Sequence, residues 1–168
     1  ITRFSLPGGV SVRFSKKVLS FTQEARENTY ELNEQYINIP GETIYGGWQI
    51  TTKVLDTTSL DIERLKQVKS NTAEWLDLSL VCGKIRVRQR RDGDRFIPFG
   101  GYEQKVGKFL TAASIPEQLR RRVILFEDEK KIVWVAPVRV CNQTRITSET
   151  RNILEIAIKP AEESELAS

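Results

Sequence analysis

The chain has 168 residues, of which 39% are hydrophobic and 29% charged, with 10 Gly and 6 Pro. Such a chain folds as one ordinary domain or two small ones, so the composition excludes a fibrous, a fully disordered or a large multidomain protein. The formal net charge is +4, and the absence of His removes the usual general base, the Ser-His-Asp triad and every His-containing zinc site.

The first 72 residues show the alternation typical of β-strands. Val10, Val12 and Phe14 alternate with polar residues, which predicts a strand with one apolar face. Because the sequence contains no Met and begins at Ile1 within this pattern, we expect a fragment of a longer protein. Further strands are predicted at residues 18–22, 30–32, 36–39 and 48–55.

A short surface helix is predicted at residues 60–68, where Leu65 and Val68 belong to one helical stripe. Acidic residues near its start and lysines near its end match the helix macrodipole. Strands are predicted next at residues 73–80 and 84–89.

Cysteine use and hydropathy indicate the cellular compartment of the protein. Cys82 and Cys141 lie far apart in the sequence and each follows a Val, so we expect buried, reduced thiols, with a disulfide as the alternative. The longest apolar runs, such as 132–138, are only as long as a strand, and the N-terminus does not resemble a signal peptide. We therefore expect a cytoplasmic protein that does not contact a membrane.

Basic residues are concentrated in the middle of the chain. Residues 84–122 hold 11 Lys and Arg against 4 Asp and Glu, whereas residues 1–83 hold 9 against 10 and residues 123–168 hold 6 against 8. Such a block is typical of a surface that binds nucleic acid or another polyanion, and a solvated basic face is the alternative.

The predicted strand at 84–89 carries a row of cations. Side chains spaced two apart lie on one face of a strand, so this face presents Lys84, Arg86, Arg88 and Arg90. Like charges at this spacing repel one another, so the row needs either a bound polyanion or a neighbouring acidic strand opposite it.

The sequence Arg-Asp-Gly-Asp-Arg-Phe at 91–96 predicts a tight turn, because its glycine can adopt positive φ. A functional interpretation adds that the two aspartates orient Arg91 and Arg95 toward phosphate, while Phe96 anchors the loop in the core.

Two consecutive helices are predicted next. The second begins with Ser114 as N-cap and Glu117 three residues later, and continues to Arg122. The first has one buried face formed by Val106, Phe109, Leu110 and Ala113, which leaves Lys105 and Lys108 pointing elsewhere.

The remaining elements complete an α+β fold of mostly antiparallel β-sheets packed with the two short consecutive helices, in a sandwich-like arrangement. Strands are predicted at 124–126, 132–138 and 153–158, the first two joined by an acidic turn. We divide the chain into a β-rich first half at 1–72, a second domain at 73–160 and a disordered tail at 161–168.

A linked series of motifs within residues 73–156 is specific. The series is Gly93-Asp94-Arg95-Phe96, Pro98, Gly100, Lys105-Val106, Lys108-Phe109, Ile115-Pro116, Arg120, Leu125, Val133-Trp134-Val135, Arg139 and Thr150. It resembles the C-terminal domain of the tRNA(Ile)-lysidine synthetase family, and the resemblance covers about half of the chain.

The resemblance implies a function for the chain. In this family an N-terminal ATP-pyrophosphatase domain uses ATP and magnesium to activate the wobble cytidine of isoleucine tRNA with a CAU anticodon, and lysine then displaces AMP. The loop that carries this activity is absent here. The resemblance therefore implies a non-catalytic domain, without cofactor or metal, that binds this tRNA near the acceptor stem and has its own catalytic domain as a partner. Self-association into a homodimer stays open.

The resemblance and the basic strand together give the predicted tRNA contacts. They are Arg86, Arg88, Arg90, Arg91, Arg95, Lys105, Lys108, Arg120 and Arg139, with Gly93 and Asp94 as the structural turn. The chain departs from the family at three places, since Gln104-Lys105 replaces paired lysines, Gly107 replaces a residue that is often basic, and Pro137 stands where glycine is common.

Two other functions remain to be weighed. The chain could be an interaction or dimerisation module, whose basic strand meets an acidic patch on the catalytic domain. A free-standing enzyme is disfavoured, because no nucleophile–base pair or metal set can be assembled and Pro7-Gly8-Gly9 lacks the lysine of a nucleotide loop. We expect Trp134 in the core, and Tyr102 is the better candidate to stack on a base.

Overall fold

A computed structural model describes residues 32–69 and 72–161 in full, and only the backbone of three strands before them. Those three are β1 (Thr2–Leu6), β2 (Val10–Ser15) and β3 (Val18–Gln23). They form an antiparallel sheet with β2 in the middle, as the alternation predicts. Residues 7–9, the first two residues of the strand predicted at 30–32 and the tail from 162 to 168 lie outside the described residues.

Eleven further strands and three α-helices follow. The strands are β4 (Gln35–Tyr36), β5 (Gly41–Tyr45), β6 (Trp48–Asp56), β7 (Ala73–Asp77), β8 (Arg86–Gln89), β9 (Arg95–Phe96), β10 (Gln104–Lys105), β11 (Ile124–Glu127), β12 (Ile132–Ala136), β13 (Arg139–Val140) and β14 (Asn152–Pro160). The helices are α1 (Ile62–Val68), α2 (Val106–Ala112) and α3 (Glu117–Arg120). All strand pairs are antiparallel, so the predicted fold class is confirmed.

Two larger sheets share one hydrophobic core. A five-stranded sheet has the order β13-β12-β11-β8-β4, and a four-stranded sheet has the order β5-β6-β14-β7. Ile50 and Ile156 from the four-stranded sheet belong to the same buried cluster as Leu125 and Trp134 from the five-stranded sheet. Trp134 is therefore a core residue, as expected, and its ring stacks on Phe126.

The four-stranded sheet joins both sides of the boundary predicted between residues 72 and 73. Its central strands β6 and β14 pair over their full length, from Asp56 opposite Asn152 to Trp48 opposite Pro160. Because these strands lie on either side of that boundary and contribute to one core, the boundary does not separate two hydrophobic cores.

The helices differ in detail from their predictions. Helix α1 contributes no buried residue, so it is the surface helix expected. Helix α2 buries Val106 and Leu110, but Ala113 is exposed because the helix ends before it. Ser114 adopts positive φ between the two helices and does not cap α3, which begins after Pro116 and is shorter than predicted.

Two predicted strands are also shorter than expected. The strand from residue 73 ends at Asp77, because the Asp77 carboxylate accepts a hydrogen bond from the Ser79 N–H and starts a turn of 3-10 helix. The strand from residue 132 ends at Ala136. Both cysteines are free thiols, but only Cys141 is buried, and Cys82 is partly exposed next to the acidic turn.

No membrane-crossing helix is found. In the part of the chain that the structure describes, every helix is too short or too polar to span a lipid bilayer.

Candidate nucleic-acid interface

The arginines of strand β8 are turned toward carboxylates. Arg86 Nε donates a hydrogen bond to Glu127 Oε1 at 2.6 Å, because β11 lies directly beside β8 and pairs Glu127 with Arg86. Arg88 is only 5% exposed, and its guanidinium binds both Asp94 oxygens, at 2.9 and 3.0 Å, and Glu127 at 2.9 Å. Of the two alternatives that the sequence left for this row of cations, the acidic strand opposite describes Arg86 and Arg88.

Charge pairing sets the ionisation of this network. Burial alone would raise the pKa of Asp94 and of Glu127, but the hydrogen bonds and positive charge of Arg88 outweigh it, so both pKa values lie below their ordinary range. Both carboxylates are thus ionised at neutral pH. The network is a buried structural feature and leaves Arg88 without a surface for RNA.

The turn at 91–94 connects this network to helix α2. Gly93 has φ +87°, and the Asp94 N–H donates to the Arg91 carbonyl at 3.2 Å, which closes the turn. The Asp94 carbonyl then accepts a hydrogen bond from the Val106 N–H at 2.8 Å, at the first residue of α2. The carboxylate of Asp94 does not orient Arg91 and Arg95 as expected, because it is held by Arg88, and the Arg91 guanidinium pairs with Glu34 at 3.2 Å.

A short ribbon of strands β9 and β10 places two cations side by side. Arg95 lies directly opposite Lys105 in the pairing register, and both side chains are exposed. Residues directly opposite each other in an antiparallel pair have Cβ atoms about 5 Å apart, so these like charges repel. Neither forms an ion pair with any other residue that the structure describes.

Helix α2 adds further cations beside Arg95 and Lys105. Lys105 is its N-cap residue and Lys108 is exposed one turn later. Arg90 reaches the same helix from the end of β8, since its Nη1 lies 2.9 Å from where a side chain at Gly107 would begin. The glycine at 107 therefore makes room for the guanidinium of Arg90 beside the first turn of α2.

Arg120 joins the helix from α3. Its Nη1 hydrogen bonds to the Thr111 hydroxyl, which in turn donates to the Gly107 carbonyl at 3.0 Å. Because Thr111 follows Lys108 by three residues, both lie on the same side of the helix. Arg120 and Lys108 are thus neighbours on one surface.

Arg139 contacts helix α2 at Phe109, on the other side from Arg90 and Arg120. Its guanidinium lies 5.6 Å from the centre of the Phe109 ring, within the range of a cation–π contact, and donates to the Phe99 carbonyl at 3.4 Å. Phe109 meets Phe96 edge to face below it, with ring centres 5.2 Å apart. Phe96 is buried, so it anchors this loop in the core as expected.

We call this cluster the basic face. It consists of six residues, Arg90, Arg95, Lys105, Lys108, Arg120 and Arg139. These six belong to the nine predicted contacts, and the structure brings them together through α2. The other three, Arg86, Arg88 and Arg91, are held by carboxylates instead.

The loop between β9 and β10, residues 97–103, carries a feature that sequence reasoning missed. Phe99 is 50% exposed and Tyr102 is 71% exposed, and only Tyr102 was predicted as a residue that stacks on a base. The Pro-Phe-Gly-Gly sequence at 98–101 is a turn signal, and an aromatic residue within a surface turn is the feature that could have identified Phe99.

Comparison with known proteins shows what this part of the chain is similar to. Residues 85–156 match the family model described as the TilS substrate C-terminal domain. Curated relatives include the tRNA(Ile)-lysidine synthases of Dehalococcoides mccartyi (strain CBDB1), 27% identical over 75% of this chain and 26% of the relative, and of Clostridium tetani (strain Massachusetts / E88), 28% identical over 87% of this chain and 31% of the relative. The chain thus spans about a quarter to a third of these relatives' length.

Solved structures show the same fold. A crystal structure of a TilS C-terminal domain superposes with a TM-score of 0.63 at 19% identity, covering 79% of this chain and all of that one. An N-terminal fragment of the phenylalanyl-tRNA synthetase β-subunit from Pyrococcus horikoshii superposes with a TM-score of 0.52 at 14% identity, over 66% of this chain and 39% of that one.

Proposed function

We propose that this chain, whose residues 85–156 match the family model of the TilS substrate C-terminal domain, binds the tRNA on which a tRNA(Ile)-lysidine synthase acts. The observation that carries the proposal is the basic face, six cations grouped around helix α2, none of which forms an ion pair with another described residue. The substrate is isoleucine tRNA with a CAU anticodon, whose wobble cytidine the whole enzyme converts to lysidine with ATP and lysine.

The chemistry of the basic face suits an RNA duplex. Double-stranded RNA is recognised mainly by its shape, its phosphates and its 2′-hydroxyls, which requires spaced cations on rigid elements. Lys108 lies on α2, Lys105 is the N-cap of that helix and Arg95 lies on β9. The turn at 91–94 is tied to α2 by the Asp94–Val106 hydrogen bond. We therefore assign the basic face to the acceptor-stem region, the duplex end of the tRNA that is distant from the anticodon.

Catalysis belongs to another part of the enzyme in this proposal. Among the described residues no group of three or more His, Cys, Asp or Glu side chains could hold a metal ion. Neither do these residues contain a glycine-rich loop followed by lysine that would bind the phosphates of ATP. We propose that the catalytic domain binds ATP and magnesium and that this chain acts beside it in the cytoplasm.

The test is a salt series of tRNA binding. We would measure the dissociation constant for isoleucine tRNA with a CAU anticodon and for elongator methionine tRNA, which shares that anticodon before modification. The substituted protein is Arg95→Gln/Lys105→Gln/Lys108→Gln. Each phosphate contact contributes roughly 0.7 to 0.9 to the slope of log K against log salt, so losing three contacts lowers the slope by about 2 to 3.

A matched triple variant controls for net charge. Lys53, Lys130 and Lys159 are exposed lysines outside the basic face, and replacing them with Gln removes the same total charge. We expect the control to keep the wild-type slope. Equal loss in both triples would mean that binding depends on overall charge alone. If wild-type protein binds neither tRNA at low salt, the interaction-module alternative gains, and sedimentation with the catalytic domain tests it directly.

A further inference from the structure

The loop at 97–103 is held rigidly beside the basic face. The Gly101 N–H donates to the Pro98 carbonyl at 2.9 Å, and Gly100 has φ +76°, which is the geometry of a type II turn with Phe99 at its corner. The Phe99 N–H also donates to the Val140 carbonyl at 2.9 Å. The loop is thus fixed to strand β13 as well as closed on itself.

A second set of contacts fixes the same loop. The Asn142 N–H donates to the Ile97 carbonyl at 2.8 Å, and Pro98 forms an isolated β-bridge with Cys141. Any side chain at Gly101 would begin 2.9 Å from the Pro98 ring, so this turn is closely packed. The two exposed aromatic side chains therefore stand on a rigid support.

The surroundings of these aromatic rings are cationic. Arg95 and Lys105 form the base of the loop, and Arg139 donates to the carbonyl of Phe99 itself. In residues 95–116 the only carboxylate is Glu103. An aromatic surface bordered by cations attracts a ligand that offers both a flat ring and a negative charge.

We propose that the loop at 97–103 binds an unpaired nucleotide of the RNA, whose base stacks on Tyr102 and Phe99 while the phosphates on either side meet Arg95, Lys105 and Arg139. Bases inside a duplex are already stacked, so exposed rings at the border of a duplex-binding surface suit nucleotides that leave the duplex. This inference rests on the proposed function, because the basic face must hold the neighbouring duplex.

The experiment compares two RNA hairpins with this chain. One hairpin has a blunt end, and the other carries a single-stranded 3′ extension of the same stem. Stacking on an aromatic side chain gains roughly fivefold to 100-fold per base, so we expect the extension to increase affinity within that range. The variants Tyr102→Ala and Phe99→Ala/Tyr102→Ala should lose this gain, and Tyr102→Phe should retain it.

A matched control and a second readout complete the design. Tyr36 is 59% exposed on strand β4, outside the basic face, so Tyr36→Ala should keep the full gain from the extension. Removing a stacking ring should also leave the slope of log K against log salt unchanged, whereas Lys108→Gln should lower it by about 0.7 to 0.9.

The outcomes separate this inference from the proposed function. Equal binding of both hairpins by wild-type protein, unaffected by the aromatic substitutions, would overturn the stacking site and leave duplex binding intact. A gain from the extension that survives Phe99→Ala/Tyr102→Ala would overturn it as well. If neither hairpin binds, the proposed function fails and the stacking site fails with it.

Discussion

Two basic segments lie next to each other in the sequence and end in opposite environments. In β8, the guanidinium groups of Arg86 and Arg88 are held by Glu127 and Asp94. In the segment formed by β9, β10 and α2, Lys105 faces Arg95 across the ribbon. Glu127 on the neighbouring strand and Asp94 in the turn after β8 hold these two arginines, whereas Lys105 has a second cation opposite it and both charges stay in solvent.

The largest effect should come from breaking the buried network. Arg88→Met removes the charge shared by Asp94 and Glu127, and removing one partner of a buried ion pair typically costs about 3 kcal/mol or more of unfolding free energy. We expect the lower end, because Arg86 still pairs with Glu127. Urea unfolding measures the loss, and Lys108→Met on the basic face should change stability by less than about 0.5 kcal/mol. Similar losses in both variants would contradict the distinction between the two segments.

Acid should weaken the carboxylate network around β8 before it affects the segment formed by β9, β10 and α2. The pKa values of Asp94 and Glu127 lie below the ordinary values of 3.8 and 4.5, so the stability they contribute is complete above about pH 5 and is lost as the pH falls through the lower values of the folded state. We expect the urea midpoint to be flat near neutral pH and to fall below about pH 4. Asp94→Asn should flatten that fall, and an unchanged acid profile in this variant would count against the network.

A smaller effect is expected where Arg90 meets helix α2. Gly107→Ala favours the helix by up to about 1 kcal/mol, and the new methyl group displaces only the flexible end of Arg90. Thermal unfolding should therefore show equal or higher stability, with tRNA affinity reduced a few-fold because Arg90 moves. A marked loss of stability would show that the atoms around Gly107 are packed too tightly to move aside for a methyl group.

The smallest effect concerns the facing cations of the ribbon. Lys105→Gln removes the repulsion with Arg95, which should raise the unfolding free energy by about 0.2 to 0.5 kcal/mol while weakening tRNA binding. The gain in stability should shrink as salt is added, because salt screens exposed charges. A variant that loses stability at low salt would indicate that the two cations do not repel each other.

Period-2 alternation and turn signals were sufficient to predict the fold class. The strands at 10–15, 48–56 and 152–160, the surface helix α1 and the buried Trp134 all follow from local patterns. The ends of elements did not, because they depend on particular hydrogen bonds. Ser114 fits the capping pattern, yet its positive φ places it in the connection between the two helices.

The site was predicted only in part, because the sequence does not say which strands become neighbours. Arg88 and Arg90 are equivalent in the alternating pattern of the predicted strand. Glu127, which binds Arg88, lies on another strand 39 residues later in the sequence. Without that pairing, no local signal distinguishes the buried arginine from the one that reaches α2. The motifs shared with the family include Lys105, Lys108 and Arg139, and the structure places Arg139 against Phe109 of α2.

The position of β14 has a consequence for how this chain reaches its native state. Strands β6 and β7 do not pair with each other, and β14 lies between them. The Thr57 hydroxyl donates to the Thr150 carbonyl across 93 residues of chain at the entrance to this strand. Such long-range pairing is slow to form, so β6 keeps an open edge until β14 arrives. This sheet is therefore completed only after almost all of the described chain has been synthesised.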